Sequence, residues 1–187
     1  MANEAGDDLV TERVMPGTHS YKDVGGMIGS KRRVGKGEGY SVNITLRKGD
    51  GNSEVLSGFT GIGIPILKQF APDIVIVAVG FDGLKLSTSF KQRWGEESCP
   101  GMDAEYTPSL YGYIVRLIRT TVQERVVAVT EGGYDPLSVG LAARSVHKAL
   151  NGGIIAKPPL RTFNNDWLMH LNNMWTFQQK YWSALKV

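Results

Sequence analysis

Two short runs in this sequence join an apolar stretch to side chains capable of chemistry. Val79-Gly80-Phe81-Asp82-Gly83 follows Ile74 to Val79, and Thr130-Glu131-Gly132-Gly133-Tyr134-Asp135 follows Arg125 to Thr130. A carboxylate such as that of Asp82 is a good oxygen ligand for a divalent metal. A phenol such as that of Tyr134 can donate a hydrogen bond to the oxyanion that forms when water attacks an amide carbonyl. The glycines permit close approach of backbone and substrate. On spacing alone a plainer reading also fits, with Asp82 capping a turn and Tyr134 packing on a sheet edge.

Such chemistry depends on the elements behind these residues. Ile74-Val-Ile-Val-Ala-Val79 contains no polar residue and is rich in β-branched side chains. That is the pattern of a strand buried on both faces in a parallel sheet. Arg125 to Thr130 reads as a second such strand. Ligands of open parallel sheets bind just past the carboxyl ends of the strands, which is where Asp82 and Tyr134 fall if the two strands are neighbours. Tyr40-Ser-Val-Asn-Ile-Thr-Leu46 alternates in polarity and reads as a further strand.

Helices fill the intervals. Ser53 is a candidate N-cap for one running to about Phe70, with Pro65 expected to kink it or to mark a shortened start. Thr107-Pro108 and Asp135-Pro136 each open another. The second of these is apolar at Leu137, Leu141, Ala142, Val146 and Leu150, and Gly152-Gly153 ends it. A last amphipathic helix spans Asp166 to Leu185 and carries Trp167, Leu171, Met174, Trp175 and Trp182. Leu84 to Glu105 reads as a long loop. Alternating strands and helices predict an α/β fold of three layers, αβα, with a mainly parallel sheet covered on both faces.

Composition narrows the possibilities. The 187 residues carry a formal net charge of +3 and an ordinary globular balance, 42% hydrophobic and 21% charged. The single basic cluster, Lys31-Arg32-Arg33 with Lys36, reads as a solvated loop, so no direct nucleic-acid partner is expected. One cysteine, Cys99, excludes an internal disulfide and favours the nucleus or cytoplasm. The most apolar run is far shorter than the roughly 20 residues that cross a bilayer, so no membrane partner is expected. Residues 1–12 are polar and lack the apolar core of a signal peptide. A phosphate cradle at Gly35-x-Gly37-x-Gly39 is disfavoured, because that run precedes a strand instead of opening a helix. Glu54, Glu96 and Glu97 read as solvated, and Glu131 as a brace for its loop.

Several motifs in order resemble the zinc-dependent histone deacetylase family. Pro16-Gly17-Thr18 with Asp23-Val24-Gly25 resembles an active-site loop, and Gly35 to Leu46 the approach to a central strand. Leu67-Lys-Gln-Phe-Ala-Pro-Asp-Ile-Val-Ile-Val-Ala-Val-Gly-Phe-Asp82 resembles the helix, strand and metal-binding aspartate. Arg125-Val-Val-Ala-Val-Thr-Glu-Gly-Gly-Tyr-Asp135, followed by Ala142 to Leu150, resembles the loop of the catalytic tyrosine and its helix. The Gly-Phe-Asp form and the tail Gln179 to Leu185 are similar to class II members. The organisation implied is a non-matching segment 1–14, the C-terminal part of a deacetylase-like domain at 15–153, and a linker with amphipathic helix at 154–187.

The resemblance implies an arginase/deacetylase-like fold and hydrolysis of acetyl-lysine on histone or other protein tails. It implies Asp82 as a zinc ligand and Tyr134 as the oxyanion stabiliser. Gly132 and Gly133 would line the acetyl-lysine tunnel, with Met15 and Phe81 as further substrate contacts; Met15 stands where an aromatic tunnel residue often precedes the Pro-Gly.

The chain also departs from the family pattern. No Asp-x-His-His run supplies the remaining metal ligands and the tandem histidines. The three histidines, His19, His147 and His170, are scattered. Leu86-Ser-Thr-Ser-Phe-Lys-Gln-Arg-Trp94 replaces the family's usual Gly-Asp-Pro-Leu-Gly. The sequence therefore implies the C-terminal half of the domain, with an apolar strand edge left exposed. A complementary N-terminal half or a corepressor-type protein is the expected partner. The alternative is a catalytically incomplete interaction module.

Overall fold

The computed structural model describes residues 39–47, 49–94, 104–164 and 166–186. Two parallel strands, β1 (Val75–Val79) and β2 (Val126–Thr130), pair from Val75 with Val126 to Val79 with Thr130. Between them the chain passes through α3 (Thr88–Trp94) and α4 (Pro108–Thr121); α5 (Pro136–Leu150) follows β2. Before β1 lie α1 (Asn52–Gly58), a π-helical turn (Phe59–Gly63) and α2 (Ile64–Phe70). After α5 come α6 (Trp167–Gln178) and a short 3-10 turn (Ser183–Leu185).

One core fills the space between the sheet, α4 and α5. It contains Val79, Phe81, Leu84, Val115, Ala142, Val146, Ala149 and Ile155. The two helices cross in near backbone contact, since a Cβ on Gly112 would stand 2.6 Å from the Ser145 carbonyl oxygen. The opposite face of the sheet is open. Ile76, Val127 and Val129 are 68%, 46% and 48% exposed. Burial on both faces, as the sequence predicts, therefore does not occur among the described residues: apolar runs as uniform as these suit two covered faces, and helices cover one.

A second core joins the first helices to the last. Ile62 and Ile66 pack with Trp167, Met174, Trp182 and Leu185. The indole N–H groups are satisfied there: Trp167 donates to Ser57 Oγ (2.7 Å), Trp182 to the Gly39 carbonyl (3.0 Å) and Trp175 to the Leu185 carbonyl (2.7 Å). Residues 40–46 lie extended against this core through Val42, Ile44 and Leu46. They form no strand, because a strand needs a neighbouring backbone to pair with. Two of the polar groups there turn to α6 instead: the Thr45 N–H donates to Met174 Sδ (3.3 Å), and its carbonyl meets His170 Nε2 (2.9 Å). The alternation of faces is as predicted; the ladder is not.

The first helical run differs in detail from its expected form. Its N-cap is Gly51, not Ser53. Ser53 instead accepts from the Arg161 N–H and donates to the Arg161 carbonyl, both at 2.8 Å. Glu54, expected to be solvated, is fully buried. Its carboxylate accepts the N–H groups of Gly51 (2.8 Å) and Asn164 (2.9 Å) and faces Arg161 at 3.7 Å. Burial pushes this carboxyl up, but those hydrogen bonds and the Arg161 charge outweigh it, and the net direction is down. Pro65 falls in the first turn of α2, directly after the π-helical turn. Proline lacks an N–H and its ring crowds the preceding turn; a widened turn accommodates this without ending the helix. The loop expected from Leu84 to Glu105 holds α3 and a parallel bridge between Leu84 and Tyr106.

Candidate functional site

The parallel register places the carboxyl ends of β1 and β2 side by side. The Glu131 N–H donates to the Val79 carbonyl (3.0 Å), carrying the ladder one step past the strands. The two following loops then run against each other. Gly132 and Gly133 have φ of +81° and +108°, the left-handed region that favours glycine. A Cβ on Gly132 would stand 2.6 Å from Asp82 Oδ2, and one on Gly133 would stand 2.6 Å from Phe81 Cβ. Both close approaches thus need glycine.

Asp82 is half-buried and forms no hydrogen bond or ion pair among the described residues. Tyr134, two residues beyond the glycine that touches Asp82, is 48% exposed at the same edge. The structure therefore brings the loops of Asp82, Gly132, Gly133 and Tyr134 together at one end of the sheet.

Phe81 departs from its expected role as a substrate contact. Its side chain is 2% exposed and its ring lies 5.1 Å from that of Tyr111 on α4. Val77, Val79 and Phe81 follow the two-residue period onto the helix-covered face, so the ring supports the loop from beneath. Met15 and His19 lie outside the described residues, as do Glu96, Glu97 and the basic cluster at 31–36. His147 is exposed beside Asn151, and half-buried His170 meets the Thr45 carbonyl; neither approaches the site loops by any hydrogen bond.

Residues that sequence reasoning left out hold these loops. Tyr106 brackets the segment after Asp82: its N–H donates to the Gly83 carbonyl, and its carbonyl accepts the Lys85 N–H, both at 3.0 Å. A Cβ on Gly83 would strike the Tyr106 ring at 2.5 Å. Tyr111 on α4 buries a hydroxyl with no hydrogen-bond partner among the described residues. Burial pushes this phenol well above its ordinary range, and Tyr106 and Asp82 add to the effect. Asp135 caps α5, as its place before Pro136 suggests, and is 3% exposed. Its Oδ1 accepts the Leu137 N–H (3.1 Å), and its Oδ2 accepts the Ser87 N–H (2.5 Å) and the Ser138 hydroxyl (2.8 Å). Burial pushes Asp135 up, but the bonds from Ser87, Ser138 and Leu137 win and hold it below the usual value.

A match to the histone deacetylase domain model spans residues 10–150. The chain belongs to the histone deacetylase family. Histone deacetylase HDA1 of Saccharomyces cerevisiae is 28% identical over 159 residues, 81% of this chain and 20% of that protein. Polyamine deacetylase HDAC10 of Danio rerio is 28% identical over 154 residues, 81% of this chain and 21% of that protein. The chain thus spans about a fifth of the length of these curated relatives. The structure of the histone deacetylase Clr3 matches with a TM-score of 0.69 at 24% identity, over 81% of this chain and 24% of that one. That likeness supports the fold: an α/β, arginase/deacetylase-like arrangement representing part of the domain.

Zinc is expected for this family. The carboxylate of Asp82, which has no hydrogen-bond or ion-pair partner among the described residues, fits as one oxygen ligand. The described residues do not complete a set, for no group of three or more His, Cys, Asp or Glu side chains among them is arranged to hold a metal ion. Catalytic zinc usually takes three protein ligands.

Proposed function

We propose that this chain supplies the Asp82 and Tyr134 side of a zinc-dependent protein-lysine deacetylase site. The observation that carries the reading is the contact between Gly132 and the Asp82 carboxylate at the carboxyl edge of the parallel pair. Asp82 is the metal ligand of this half. The Tyr134 phenol donates a hydrogen bond to the acetyl oxygen as water adds to the carbonyl carbon. The carbon–nitrogen bond then breaks, acetate leaves, and the lysine amine takes a proton. Gly132 and Gly133 give the acetyl-lysine side chain a wall without side chains, and Met15 contributes a further contact. Zinc, when bound, supplies Lewis acidity. The remaining ligands and the tandem histidines, which this sequence lacks, come from a companion polypeptide.

The substrates are acetylated histone or other protein tails, and the setting is the nucleus or cytoplasm. The test is co-expression with a polypeptide carrying an Asp-x-His-His segment, followed by deacetylation assays on an acetyl-lysine tail peptide and on an acetylated polyamine. Asp82→Ala and Tyr134→Phe should each lower turnover by about 100-fold or more. Activity undiminished in Asp82→Ala would remove the assigned role.

The open sheet face around Ile76, Val127 and Val129 favours a second reading, a deacetylase-like interaction module. A chain that binds no zinc in any assembly, yet forms a stoichiometric complex with a corepressor-type protein, would decide for it.

A further inference from the structure

We infer that Asp135 is the positioning residue that couples the Asp82 loop to the Tyr134 loop, by gripping α5 and the segment leading into α3 with one buried carboxylate.

The reading of Asp82 and Tyr134 as site residues underlies the functional side of this inference; the structural coupling stands on its own contacts. Asp135 directly follows Tyr134 in sequence, and its carboxylate is 3% exposed. A cap needs one acceptor oxygen, and Oδ1 provides it to the Leu137 N–H. Oδ2 turns away to Ser87, 48 residues earlier, at 2.5 Å. Ser87 in turn starts α3: its Oγ accepts the Phe90 N–H (3.3 Å), and its carbonyl accepts the Lys91 N–H (3.1 Å). Ser138 adds a second tie, since its hydroxyl lies 2.9 Å from the Lys85 carbonyl and 2.8 Å from Asp135 Oδ2. The segment from Gly83 to Ser87 is thereby held on one side by Tyr106 and on the other by Asp135 and Ser138. Asp82 sits one residue before that frame, and Tyr134 one residue before its carboxylate.

Ser87 lies within the stretch from Leu86 to Trp94 that holds α3. A carboxylate that holds this stretch fixes α3, with its exposed Trp94, against the loop of Tyr134. An acid that only capped α5 would leave residues 84–87 indifferent to its removal.

That contrast defines the test, residue-resolved amide hydrogen exchange on the full chain with Asp135→Ala and Asp135→Asn. Asn keeps one oxygen acceptor and should restore part of the protection. In Asp135→Ala, exchange at Ser87 and across 84–87 should rise about tenfold or more, together with 131–137, while 167–178 stays unchanged. Deprotection confined to 136–138 would reduce Asp135 to a cap and overturn the proposal. If Asp135→Ala loses protection everywhere, Asp135→Ser decides. Its single oxygen keeps the cap and leaves Ser87 without its acceptor, so 84–87 should loosen alone; wild-type exchange there would overturn the proposal. In an active assembly, Asp135→Ala should lower kcat more than it changes KM, with Asp135→Asn intermediate. Coupled exchange without activity in any assembly would leave the clamp standing and count against the deacetylase reading.

Discussion

The two cores of this protein are built on different terms. The C-terminal one, around Trp167, Met174 and Trp182, is closed, with Trp167 and Met174 fully buried and each indole N–H paired. The one that carries the site is closed on one side only, and its sheet shows Ile76, Val127 and Val129 to solvent. The first region packs helix on helix, although the buried Gln178 amide finds no hydrogen-bond partner among the described residues. The second has precise loops on a half-covered sheet, which is the combination expected where further structure must cover the sheet before chemistry occurs. Precision at the loops comes from hydrogen bonds and left-handed glycines, and needs no second layer of helices.

This contrast can be broken at its strongest point first. Trp167→Ala should cost about 3–5 kcal/mol in denaturant unfolding, through lost burial and the cavity left behind. A loss below about 1 kcal/mol would show that the C-terminal core is not the tightly packed unit described. Next is acid. The folded-state carboxyl of Glu54 lies below its usual value of 4.5. A depressed carboxyl contributes stability that is present above its unfolded pKa and lost as pH falls through its folded one. Glu54→Gln should therefore weaken the protein by about 1–3 kcal/mol near neutrality, by removing the charge that accepts two backbone N–H groups. The gap between variant and parent should narrow as pH falls below 4.5, and a gap independent of pH would contradict the assignment. The smallest effect belongs to the open face. Val129→Thr should change the stability of the chain by less than about 0.5 kcal/mol, while weakening assembly with a complementing polypeptide. A large intrinsic loss would mean that this face is already covered.

Much of the architecture was legible in the residues. The β-branched runs, the Thr107-Pro108 and Asp135-Pro136 helix starts and the glycines beside Tyr134 are local signals, and local signals survive into the fold. Apart from the helix α3, missed within the expected loop, the failures are non-local. Tyr40 to Leu46 has the alternation of a strand, but pairing depends on a neighbour that the pattern cannot supply. Ser53 resembles a cap, yet its hydroxyl bonds Arg161, 108 residues away. Glu54 resembles a solvated acid until Asn164 and Arg161 close over it. Phe81 stands beside a ligand candidate but obeys the inward period of its strand. The second grip of Asp135 is invisible for the same reason, since nothing near position 135 names Ser87.

The pairing of Val79 with Thr130 acts as a common origin from which two lengths of chain are measured out, three residues to Asp82 and four to Tyr134. One residue added between Val79 and Asp82 would turn the acid toward the opposite side of the strand's continuation. Changes of length are therefore severe within the three residues that lead to Asp82 and the four that lead to Tyr134.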